Sequence, residues 1–250
     1  MTFFLGLRAG LAIALFLPLA VAALKAPDFA HTEPVTLDQV IDGRTLRLVD
    51  GRLLRLAGID TPMGPAKSRL AQLVAGRRLE LAYDEPKLDR YGRLIAHLFA
   101  DGEWVEGTLL ERGLARVATS TDDRAGAAMM LAFERRARGA GRGLWRDPHY
   151  AVRDPGEGGR FADSFQLVEG EVAEVSTLAG AVVMAFAGDE TPRLTLRMDG
   201  AALALFREEG IDLQALSGKR VRVRGWIHGT TRPTLDITHP EQIERLRKKH

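Results

Sequence analysis

The sequence predicts an α+β, mostly β protein: two small barrels in tandem, the first with helices packed on one side. Three observations carry that expectation. Short strand-like runs dominate 34–99, two helical stretches follow, and after a Pro-, Gly- and Asp-rich segment the strand pattern starts again. A chain of 250 residues that is 46% hydrophobic and 27% charged can bury one good-sized core or two modest ones, and two domains are the expectation.

The amino terminus, MTFFLGLRAGLAIALFLPLAVAALKAP, has one Arg near its start and an apolar run from Ala9 to Ala23 broken only by Gly10 and Pro18. Ala20-Val21-Ala22 offers a small-x-small cleavage site, so 1–22 reads as a secretory signal peptide and the mature chain as periplasmic or secreted. An uncleaved membrane anchor is the alternative, but the run is shorter than the ~20 residues that span a bilayer. No stable membrane insertion is expected after cleavage, and Leu24 to Glu33 is expected to be a mobile lead-in.

The first domain is placed at 34–146. TLRLV and LLRLAGI flank Asp50-Gly51, a hairpin signal, and RRLELAY and GRLIAHLFADG supply further strands. AKSRLAQLVAG carries Ala66, Leu70, Leu73 and Val74 near helical spacing and stops at Gly76. WVEGTLLERGLARV holds a helix ending around Gly113, and TDDRAGAAMMLAFERRARGAG a second, with Asp and Thr as cap candidates. Residues 147–164 read as a linker. In 165–246, five strand candidates interrupted by the helix GAALALFREEG fit an OB-like barrel.

Composition narrows the chemistry. No Cys is present, which excludes disulfides, thiolate nucleophiles and Cys-based metal sites, and the six His lack metal-binding spacing. The formal charge of +2, from 35 Lys and Arg against 33 Asp and Glu, leaves the partner open.

Several separated blocks resemble the staphylococcal nuclease (thermonuclease) family: VIDGRTLRL, RLAGIDTP, DRYGR from Asp89 to Arg93, RGLARV and GLW, in the family's order and spacing. The resemblance covers roughly Pro34 to Trp145 and implies a nuclease-type OB barrel with packed helices. The second domain is similar, less specifically, to the OB-like region that follows such domains in some bacterial proteins. The family hydrolyses phosphodiesters with carboxylates holding calcium, a Glu as general base and two Arg on the phosphate. Carried over, the Arg pair falls on Arg55 and Arg93, and two calcium-site carboxylates on Asp42 and Asp60. The third carboxylate falls on Arg44 and the general base on Met63.

Those two departures remove chemistry, because a guanidinium cannot ligate a cation and a thioether cannot take a proton from water. Losing a general base costs about 10²- to 10⁴-fold in rate, and losing the metal costs several kcal/mol more. The expectation is an exported protein that is inactive or strongly impaired as a calcium nuclease. It would bind nucleic acid or another phosphate-bearing or acidic ligand through Arg44, Arg55 and Arg93, with Tyr91 beside them. Arg44 would pair with Asp42 or Asp60 in place of the cation. No cofactor is expected, and calcium only if Asp42 and Asp60 still hold it. One rival is a phosphodiesterase with altered ion use or a displaced base, with Asp84 and Glu85 as candidates; another is an envelope protein-interaction module of unknown partners.

Simpler roles stand beside these. Asp42-Gly43 and Asp60-Thr61-Pro62 are also turn chemistry, and Tyr91 can serve packing alone. The arginines of ERRARGAGRGLWRD suit a solvated helix face, Trp104 and Trp145 suit core anchors, and IERLRKKH suits a frayed tail. KRVRVRGWIH alternates so that Arg220, Arg222, Arg224, Trp226 and His228 share one face, a composition that suits single-stranded nucleic acid.

Overall fold

The computed structural model describes residues 27–62, 64–188 and 193–247. The proposed signal peptide and Met63 lie outside the described residues. No described helix is long and apolar enough to cross a membrane.

The first region contains β1 (His31–Val35), β2 (Leu37–Val40), β3 (Thr45–Leu48), β4 (Leu53–Leu56), β5 (Ile59–Asp60), α1 (Ala66–Val74), β6 (Leu79–Leu88), β7 (Leu94–Ala100), β8 (Glu103–Trp104), α2 (Val105–Glu111), β9 (Arg116–Val117) and α3 (Ala127–Gly139). One sheet runs β1-β6-β7-β4-β3-β2, with β8 on β7, and β5 and β9 form a separate ladder. All of these pairings are antiparallel except β4 with β7. Alternation sets the faces. Leu46, Leu48, Leu54 and Leu56 are no more than 2% exposed, so Arg55, between two of them, is turned off the core. Each such leucine contributes about 1.5–3 kcal/mol by burial. Helix α1 adds Ala66, Leu70, Leu73 and Val74 to that core.

Three short 3-10 turns, Gly143–Arg146, Pro148–Tyr150 and Pro155–Phe161, connect to the second region. There follow β10 (Ser164–Leu178), β11 (Ala181–Phe186), β12 (Thr195–Met198), α4 (Gly200–Glu208), β13 (Arg220–His228), β14 (Thr234–Asp236) and β15 (Ile243–Arg245). The sheet order is β10-β11-β12-β14-β13-β15, and β10 pairs with β13 as well as with β11. The architecture is therefore α+β, with a second β-sheet region following the first.

The structure corrects several local expectations. His31–Val35 is not lead-in but a strand on β6, where its backbone groups find partners. Helix α3 is capped by Gly126 at φ 71° with no side-chain cap, because Asp123 turns inward to accept from the Gly58 amide. Ile243–Arg245 is not frayed but paired with β13. Trp104 is a core residue, whereas Trp145 is only half-buried beneath the Arg138 guanidinium. The α3 arginines are not simply solvated, since Arg138 binds Glu134 at 2.7 Å.

The two regions meet across a buried ionic network. Arg224 on β13 reaches Glu134 on α3 at 2.9 and 3.1 Å and Glu244 on β15 at 2.6 Å. Glu134 also accepts from the Val117 amide at 2.7 Å. Burial alone would push the Glu134 carboxyl up, but Arg224, Arg138 and that amide outweigh it and hold the group below its ordinary value. Elsewhere at the junction Arg124 pairs with Glu241 and Glu209.

His239 adds a pH-sensitive contact, its Nε2 lying 2.9 Å from the Thr119 hydroxyl. Burial, reinforced by Arg124 and Arg224 and opposed by Glu241, lowers its pKa from 6.5 to about 4. An unfolded imidazole takes a proton below 6.5, while the native one resists until about 4, so stability falls as pH drops through that window. Thermal unfolding between those pH values is expected to show a declining midpoint that His239→Gln flattens. Equal slopes in both proteins would contradict this assignment.

Candidate functional site

The turn between β2 and β3 places the first cation. Asp42 Oδ1 accepts from the Arg44 amide at 2.8 Å, and the Ile41 and Asp42 amides donate to the Thr45 carbonyl at 2.8 and 3.2 Å. Gly43 allows this turn to press on the next segment, since a Cβ there would stand 2.6 Å from Thr61 Oγ1. Arg44 thereby reaches over β5, with NH1 3.2 Å from the Ile59 carbonyl and 3.0 Å from Asp60 Oδ1.

Strand pairing places the second cation on the same carboxylate. Asp60 and Arg116 are register partners between β5 and β9, and the Arg116 Nε and NH2 donate to Asp60 Oδ2 at 3.0 and 2.8 Å. Both Asp60 oxygens are thus engaged by guanidinium groups. Arg116 NH1 continues to the Phe165 carbonyl at 3.0 Å, and its guanidinium lies 4.4 Å from the Phe165 ring centre.

Arg55 sits on β4 opposite Thr45, and its Nε is buried with no hydrogen-bond partner among the described residues. Burial, then the neighbouring Arg44 and Arg93 charges, lower its pKa against the pull of Asp123 and Asp89. A guanidinium keeps its charge under such pressure, which leaves a cation under repulsion. Arg93 is differently placed: Asp89 holds its Nε at 2.7 Å and NH2 at 2.6 Å, and its NH1 is 3.4 Å from Thr45 Oγ1. Tyr91 is exposed, its ring near the Arg90 and Arg93 guanidinium groups at 4.8 and 5.2 Å.

Arg44, Arg55 and Asp60 line a cleft of about 390 Å³ together with Trp226 and His228 of β13 from the second region. Arg93, Tyr91 and Asp42 do not line it. Asp84 and Glu85, the candidates for a displaced base, line a separate cavity of about 360 Å³ with His97 and Asp123. Their strand, β6, pairs with β1 and β7, which sends them away from the Arg44 cleft.

The basic face expected on β13 is largely neutralised. Glu169 takes Arg222 at 2.7 Å and Arg220 at 3.0 Å, while Arg224 is buried against Glu134 and Glu244. Trp226 and His228 remain exposed. Trp226 and His228 were read from sequence only as part of a β13 face suited to nucleic acid, and Arg116 was not singled out at all. Arg116 lies in the RGLARV block, but its partner is 56 positions away. Among the described residues, no group of three or more His, Asp or Glu side chains converges as a metal ligand set.

Residues 53–147 match the family described as staphylococcal nuclease homologue. Endonuclease YncB of Bacillus subtilis (strain 168) is 39% identical over 100 residues, covering 34% of this chain and 47% of that protein. The SPbeta prophage-derived endonuclease YokF of the same organism is also 39% identical over 100 residues, covering 34% of each. Staphylococcal-like nuclease CAN1 of Arabidopsis thaliana is 35% identical over 99 residues, covering 37% of this chain and 29% of that protein. The chain thus spans less than half the length of each of these relatives. Residues 53–147 thus match a staphylococcal nuclease family domain.

Proposed function

We propose that this domain binds the phosphodiester backbone of nucleic acid through an arginine-lined cleft, and that it is inactive or strongly impaired as a calcium-dependent nuclease. The observation that carries the reading is Asp60 held on both oxygens by Arg44 and Arg116. A calcium ion takes six to eight oxygen ligands, and a carboxylate already committed to two guanidinium groups is a poor donor for one. Asp42 is turned to a backbone amide, and position 63 offers a thioether. The residues present do not fit the ion, so no catalytic step is assigned to it. They suit an anion instead: Arg44 and Arg55 share the cleft, and the Arg55 Nε is a buried donor without an acceptor among the described residues. The names of the relatives point to nucleic acid as the source of that anion.

The test is binding of single-stranded DNA and RNA by the purified chain, with calcium and with chelator. Affinity is expected to persist in chelator with no rapid cleavage in either buffer. Arg55→Ala should weaken binding and reduce the slope of log K against log salt by about one. Rapid calcium-dependent cleavage would overturn the impairment, and salt-insensitive affinity would favour a protein-interaction module.

A second reading, hydrolysis with a displaced base, is favoured by relatives that are named endonucleases. Asp84 and Glu85 are not in the cleft, so the base would have to come from the second region, where His228 and Asp236 reach the same cleft as Arg55. That reading requires cleavage that persists in chelator and disappears with Arg55→Ala.

A further inference from the structure

We infer that Trp226 is a stacking platform for a nucleobase, so that the second sheet region supplies the base-reading wall of the cleft and the ligand class is single-stranded nucleic acid. The inference rests on the phosphate reading above and adds to it a role for residues outside the nuclease-family match. Trp226 is 56% exposed although β13 is not an edge strand, pairing with β10 on one side and β14 and β15 on the other. Its ring therefore stands on a sheet face, the face lining the cleft with Arg44 and Arg55.

The support beneath Trp226 is tight. A Cβ at the preceding Gly225 would meet Leu235 Cδ2 at 2.9 Å, so the strand is packed against β14 where it presents the indole. The cross-strand neighbour of Trp226 is Phe165, whose ring is already covered by Arg116 at 4.4 Å. Trp226, by contrast, makes no ring or cation contact among the described residues. The cleft is thus lined by an aromatic residue together with two arginines, and Thr119 and Ser120 line it as well.

A nucleotide has a matching layout, with an anionic phosphate and a flat base joined by a sugar. A cleft of about 390 Å³ is of the size that admits a small ligand rather than a duplex. Base stacking on an aromatic side chain also requires a base free of its pairing partner, and it tolerates any base because each has a π face.

The experiment compares the intact chain and two variants, Trp226→Ala and Trp226→Phe, in chelator. Fluorescence anisotropy reads the affinity for a short oligothymidylate, for an abasic oligomer with the same number of phosphates, and for polyglutamate. The parent is expected to bind oligothymidylate roughly tenfold or more tighter than the abasic oligomer. Trp226→Ala should erase that difference without changing abasic affinity, and Trp226→Phe should keep most of it. Equal loss on both oligomers, or no loss on either, overturns the stacking role while leaving the phosphate site standing. Polyglutamate binding that depends equally on Trp226 also overturns it, in favour of an acidic protein partner. Failure of the parent to bind either oligomer removes the phosphate reading and the stacking role together.

Discussion

Exchanging Arg44→Asp together with Met63→Glu is expected to raise calcium-dependent cleavage of single-stranded DNA by roughly 10²- to 10⁴-fold over the parent chain, the range a general base contributes. The first change releases Asp60 Oδ1 from the guanidinium 3.0 Å away and adds a carboxylate at the end of the β2–β3 turn. The second restores a proton acceptor to the family position. The two act on different requirements, so neither alone should suffice: Arg44→Asp is expected to gain calcium affinity, read by calorimetry, without matching turnover. Arg116 still holds Asp60 Oδ2 at 2.8 Å in the double variant, which sets a ceiling on the recovery. If the double variant takes up calcium and still cleaves no faster than the parent, those two positions are not what limits the reaction.

Removing Arg224 should have the largest effect on stability. Arg224→Ala leaves Glu134, which is 0% exposed, without its principal counter-charge, and truncating one partner of a buried pair costs about 3–5 kcal/mol. The missing link joins α3 to β13, so the loss should appear as a lower urea midpoint for the whole junction. Arg224→Met combined with Glu134→Leu removes both charges of that pair and is expected to recover only part of the loss, because Glu244, Arg138 and the Val117 amide each lose a partner. A fall of less than about 1 kcal/mol for Arg224→Ala would mean that Arg138 and the Val117 amide satisfy Glu134 unaided.

The two predictions separate chemistry from architecture. Arg44 lines the cleft, and its loss changes what the site can hold; Arg224 lies on β13 in the buried junction with α3, and its loss changes whether the two regions that line the cleft stay together. A decline in oligonucleotide affinity for Arg224→Ala without direct contact to ligand would follow from the second effect.

Local patterns were legible in the sequence because short-range physics decides them. Alternation exposed the β3–β4 hairpin around Asp50-Gly51, helical spacing exposed α1 through Ala66, Leu70, Leu73 and Val74, and the order of motif blocks pointed to the family seen over residues 53–147. The substitutions at positions 44 and 63 are likewise plain from residue type alone. Only the tertiary structure decided where the charges go. It put Arg44 and Arg116 on one carboxylate, sent Asp84 and Glu85 into another cavity, consumed Arg224 in a buried network, and brought Trp226 and Arg55 to the lining of one cleft. Those outcomes depend on strand register and on contacts between residues as far apart as Glu134 and Arg224, 90 positions along the chain, and a linear pattern of residue types carries no information about which distant charge a carboxylate will meet.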